Sequence, residues 1–154
     1  MIPPPSGHDP PVVHDRYRII ADGRSAGIGG DTYYGYVTDL YDRVVATFAR
    51  YRQHVDGHRV QLHPGIFEDT LHPQRPISLA HIDCDWFEPV QLCLERIWPL
   101  LSPGGFVILD DYNCYEGCTT AVDACVADRS DATIVQSTPT AVLRKSGARG
   151  RCEP

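Results

Sequence analysis

The tightest constraint on this chain is a pair of apolar runs that each end in acid. The run Ile77–Trp86 carries Asp83 and Asp85, and the run Gly105–Tyr112 carries Asp110 and Asp111. Between them, Val90, Leu94, Ile97 and Leu101 recur at helical spacing, with Pro89 tolerable in a first turn. Strand, helix, strand predicts two neighbouring parallel strands. Ligands of such sheets sit beyond the carboxyl ends of the strands, where all four acids fall. Carboxylates gathered there repel one another unless a cation or shared protons hold them, so a divalent metal site is one reading. Acidic strand-to-helix turns are the plainer reading, because Asp favours turns and N-caps. Two acids at both ends favour the site.

A chain of 154 residues with 42% hydrophobic content can build one domain with a core. The formal charge of −6 gives no electrostatic reason to expect nucleic acid, and no Lys/Arg run invites an anionic membrane. No apolar stretch has the length of a bilayer span, and no signal-peptide pattern follows Met1. Cys93, Cys118 and Cys125 fall at core-like positions of predicted helices, and no CxxC pair occurs. Reduced thiols and a cytoplasmic location are therefore expected. The cysteines and histidines do not form a zinc spacing.

From the start, Met1–Pro11 contains five prolines and predicts an extended arm or part of a loop. Tyr17–Ile20 reads as a short strand, and Ala21–Gly30 as a glycine loop that either cradles a phosphate or lies free on the surface. Val37, Tyr41, Val44 and Phe48 set a helical stripe that Thr38 or Asp39 can cap. His58–His63 alternates like a strand, and Ile66–Leu71 suits a helical turn or a hydrophobic plug. A helix over Gly117–Asp128 and a hairpin of Ala132–Gln136 with Thr140–Arg144 complete the fold. The order suggests the second half of a doubly wound α/β domain whose last strands turn back on the sheet. One domain over residues 1–145 is expected, with 1–36 a Pro/Gly-rich arm and 146–154 a disordered tail.

Four stretches together resemble the macrocin O-methyltransferase family. They are Gly65–Leu71, Ile82–Glu88 with its Asp-x-Asp, Leu101–Tyr112 with its Asp-Asp, and Gly117–Asp123. Each motif alone is weak, and their order and spacing are specific. The resemblance implies a partial Rossmann-like class I methyltransferase sheet with a C-terminal antiparallel hairpin. It implies an enzyme that uses S-adenosylmethionine and Mg²⁺ to methylate a hydroxyl of a sugar or phenol in natural-product pathways. It also implies residue roles: Asp83, Asp110 and Asp111 as metal ligands, and Asp85 as the general base. Ordinary chemistry agrees, since Mg²⁺ takes hard oxygen ligands and a sugar hydroxyl needs a metal and a base before it is nucleophilic.

The family's glycine-rich turn and ribose-binding acid have no counterpart before this region, and residues 6–36 align with its lid. The expectation is thus a family domain short of its cofactor-binding strands, with the cofactor-binding residues unassigned. Two other readings stay open. One is a degenerate, non-catalytic binding or assembly subunit, with an exposed sheet edge able to join copies into a homo-oligomer. The other is a metal-dependent enzyme of different chemistry.

Overall fold

The two acid-tipped runs form adjacent parallel strands. The computed structural model describes residues 2–147. In chain order it contains α1 (Pro11–Ala21), α2 (Leu40–Arg50), α3 (Phe67–Thr70), β1 (Ile77–Ile82), α4 (Phe87–Ile97), β2 (Leu101–Leu109), α5 (Glu116–Ala127), β3 (Ala132–Gln136) and β4 (Ala141–Lys145). The strands lie in the order β1-β2-β4-β3. β1 and β2 pair in parallel, while β4 runs antiparallel to both β2 and β3. This is an α/β sheet whose parallel part is closed by the predicted hairpin.

Alternation along β2 assigns the two faces of the sheet. Gly105, Val107 and Leu109 are buried, and with Ile82, Ala141 and Leu143 they meet Val90, Leu94 and Ile97 of α4 and Cys118, Ala121, Val122 and Cys125 of α5. The predicted helical stripe is therefore the core, and the three helix cysteines lie inside it. The opposite face is bare. Leu79 is 61% exposed, Val135 50% and Phe106 38%, and the Arg144 guanidinium lies over the Phe106 ring. Parallel strands are usually covered on both faces, so this half-covered sheet is unusual. β1 is also an edge strand.

Three elements differ from the sequence expectation. Tyr17–Ile20 belongs to helix α1, which Pro11 opens at the helix start, where its missing N–H costs nothing. Isoleucine and tyrosine favour strands only where a sheet neighbour exists, and none is available here. His58–His63 forms no strand for the same reason. α2 forms near the predicted place, yet none of its residues is fully buried, with Val44, Val45 and Phe48 only half-buried. The tail expected at 146–154 lies almost wholly outside the described residues.

Candidate functional site

The register brings the acids together. Ile82 pairs with Leu109, and the Asp110 N–H donates to the Ile82 carbonyl at 3.1 Å, so both strands end level. Carboxylate oxygens of Asp83, Asp85 and Asp111 all lie within 4.8 Å of one another. Asp83 and Asp85 follow the end of β1, and Asp110 and Asp111 open the turn after β2. Asp110 turns to His81, with Nε2 at 3.6 Å from its carboxylate. Of the four acids singled out in the sequence, the structure gathers Asp83, Asp85 and Asp111, and leaves Asp110 beside the group.

The electrostatics follow from that crowding. Burial, then the charge of Asp85 and a hydrogen bond with it, then Asp83 and Asp110, push Asp111 up to about 7. Asp85 is raised as well, chiefly by burial, while the hydrogen bond from Asp111 pulls it down. Crowding of the two carboxyls therefore favours a proton held by Asp111 near neutrality. Asp111 Oδ2 is buried and has no hydrogen-bond partner. Clustered hard oxygens, one of them orphaned and one acid forced to hold its proton near neutrality, fit a small divalent cation.

The supports of the site come from the arm, and sequence reasoning missed them. Asp9 is 6% exposed; its Oδ1 accepts the Phe87 N–H at 3.0 Å, and its Oδ2 accepts the Ser6 N–H at 2.9 Å. Asp9 thereby caps α4, the helix that follows Asp85, where an orphan donor and the positive helix end both favour an acid. Next to that cap, His8 stacks on Phe87 with ring centroids 4.4 Å apart, and the Tyr17 ring stands edge-on to Trp86 at 5.7 Å. Gly117 makes room for the arm, because a Cβ there would lie 2.0 Å from Asp9 Oδ1. An acid within a proline-rich stretch was the only sequence signal for this contact.

Other locks hold the mouth of the site. Asn113 Nδ2 donates to the Ser137 and Pro139 carbonyls at 2.6 and 2.9 Å, tying the turn after β2 to the hairpin tip. Arg96 Nη1 donates to the carbonyls of Phe67, Glu68 and Leu71 at 2.9, 2.9 and 3.1 Å, which fastens the Gly65–Leu71 motif to α4. The loop at Gly23–Gly30 follows helix α1, so it is not a strand–turn–helix phosphate cradle.

Residues 34–138 match the family model described as macrocin-O-methyltransferase (TylF). Over 86 residues the chain is 41% identical to the 8-demethyl-8-(2,3-dimethoxy-alpha-L-rhamnosyl)-tetracenomycin-C 4'-O-methyltransferase of Streptomyces olivaceus, covering 54% of this chain and 29% of that protein. Over 82 residues it is 38% identical to the mycinamicin III 3''-O-methyltransferase of Micromonospora griseorubida, covering 51% of this chain and 31% of that one. The structure of the O-methyltransferase NovP superposes with a TM-score of 0.64 at 24% identity, covering 92% of this chain and 53% of NovP. The apo structure of CalS11, a TDP-rhamnose 3'-O-methyltransferase of calicheamicin biosynthesis, gives a TM-score of 0.56 at 25% identity, covering 72% of this chain and 54% of CalS11. The chain thus spans about half the length of these solved relatives and matches under a third of the two named sequence relatives.

Proposed function

Because the chain belongs to the macrocin O-methyltransferase family, we propose that it forms the metal- and acceptor-binding side of an O-methyltransferase acting on a sugar hydroxyl of a natural-product intermediate. The observation that carries this reading is the Asp83–Asp85–Asp111 cluster at the level ends of β1 and β2. Asp83 and Asp111 are the ligands of a divalent cation, Mg²⁺ by the hardness of its donors, with Asp110 as the third. A cation held there would lower the pKa of the acceptor hydroxyl. Asp85 shares the face of Asp83 and takes the hydroxyl proton as general base. A cation held at the cluster would favour the ionised forms of both Asp111 and Asp85. The sugar acceptor is inferred from relatives whose names carry a rhamnosyl group or TDP-rhamnose.

The methyl donor of the family is S-adenosylmethionine. Among the described residues no strand with a glycine-rich turn precedes β1, so the residues here do not fit that cofactor by themselves. No step is derived through it. A bare sheet face and the free edge of β1 favour a second reading, in which the chain is an assembly subunit that pairs through that edge with a copy of itself.

Calorimetric titration with Mg²⁺ and Mn²⁺ separates the two readings. Weak, saturable binding that Asp83→Asn and Asp111→Asn abolish is expected. Equal binding by the parent and both variants would make the carboxylates structural and leave only the assembly reading.

A further inference from the structure

The closing hairpin reaches the acidic site through a single side chain, Asn113. Ala141, the first residue of β4, is the register partner of Leu109, the last residue of β2. The hairpin tip at 137–140 and the turn at 110–114 therefore lie at the same end of the sheet. Asp111 stands inside that turn, and its main-chain carbonyl accepts the N–H groups of Cys114 and Tyr115, both at 3.0 Å. Where its carboxylate sits thus depends on the turn staying closed. The turn is held from two sides. Toward α5, the Tyr112 hydroxyl donates to Asp123 Oδ1 at 2.8 Å, and Thr119 Oγ1 donates to the Tyr112 carbonyl. Toward the hairpin, Asn113 Nδ2 donates to the Ser137 and Pro139 carbonyls at 2.6 and 2.9 Å. A carboxamide carries two N–H donors on one nitrogen, so this side chain can bridge two carbonyls; Asp has no donor and Ser has one.

We infer that Asn113 is a positioning residue for the metal site: by bridging the two hairpin carbonyls it holds the 110–114 turn closed and keeps the Asp111 carboxylate in reach of a cation on Asp83. Carboxylate oxygens of Asp83 and Asp111 lie within 4.8 Å of each other. Mg²⁺ takes its oxygens at about 2.1 Å in a near-ideal octahedron, so a turn that drifts by about an ångström loses a ligand. The inference rests on the metal reading above and adds the hairpin tip to the construction of the site.

The test uses the whole chain and Mg²⁺ alone, by calorimetry, with circular dichroism and urea denaturation on the same samples. The parent binds Mg²⁺ saturably, and Asn113→Ala weakens that binding about three- to tenfold, the scale of a lost hydrogen-bonding anchor. Asn113→Gln keeps both donors on a longer stem and recovers part of the loss. Lys145→Met is the control, since it removes the bond from Lys145 Nζ to the Trp98 carbonyl at 2.8 Å, at the far end of β4. It should lower stability while Mg²⁺ affinity stays within about twofold, as expected of a distant site. If the parent binds Mg²⁺ and Asn113→Ala binds it equally, the role of Asn113 falls and the metal reading stands. If Lys145→Met weakens binding as much as Asn113→Ala does, the loss is one of general stability and the inference is overturned. If the parent binds no Mg²⁺, the metal reading and this inference fall together.

Discussion

Asp9 and Phe87 are seventy-eight residues apart, and the Asp9 carboxylate accepts the Phe87 N–H at 3.0 Å. That bond fastens the N-terminal arm to the first residue of α4, two residues beyond Asp85, the proposed base. The arm is thus part of the site's construction, and α1 is carried on it.

Removing this cap should cost about 1 kcal/mol, within the usual range of roughly 0.5–2 for an N-cap acid. Asp9→Ala is expected to lower the urea midpoint accordingly. Gly117→Ala should cost more, because its Cβ would meet Asp9 Oδ1 at 2.0 Å and the Phe87 nitrogen at 2.9 Å. The two changes should be non-additive, since Asp9→Ala removes the first of those clashes. Strictly additive losses in the double variant would show that the arm does not press on Gly117.

The parallel pair, the helix between its strands, the closing hairpin and the acids at the strand ends were legible in the sequence because each rests on a local period. Ile82 and Leu109, each followed directly by an acid, are register partners, which puts the acids at one level. What was not legible depends on contacts between distant segments. Tyr17–Ile20 has strand-forming residues and folds as helix, since the Pro11 start and the packing of Tyr17 on Trp86 decide its state. The divergence of Asp110 from Asp111 was hidden because both lie in the turn after β2, and the contact of Asp110 with His81 needs the register of β1 on β2.

Stability should fall as pH rises through the range in which Asp111 keeps its proton. Its folded-state pKa is raised from 3.8 to about 7, so between those values the unfolded chain releases this proton and the folded chain retains it. The folded state then binds more protons, and the free energy of unfolding declines with pH until Asp111 ionises near 7. Below 3.8 the group makes no difference. Asp85, also raised, acts in the same direction. Denaturation curves from pH 4 to 8 without metal should show the decline, and Asp111→Asn should flatten it. Saturating Mg²⁺ should raise stability most at the upper end, where its ligands are ionised. A parent and an Asp111→Asn variant with identical slopes would mean that Asp111 titrates as an ordinary carboxylate.

Asp110 is the member of the proposed ligand set that the structure holds apart, and it lies beside His81. The His81–Asp110 contact at 3.6 Å is half exposed on both sides, so its own worth is small, at most about 1 kcal/mol. A cation bound by Asp83 and Asp111 can therefore compete for Asp110 at little cost. If it does, His81→Ala should strengthen Mg²⁺ binding by up to about fivefold, the equivalent of that energy. Asp110→Asn should weaken binding, and His81→Ala should bring no gain in the Asp110→Asn background. Calorimetry on the two single variants and the double one reads this directly. If Asp110→Asn binds Mg²⁺ as the parent does, and His81→Ala changes nothing, the cation is held by Asp83 and Asp111 without Asp110. Asp110 would then serve only to orient His81 on the open face of the sheet.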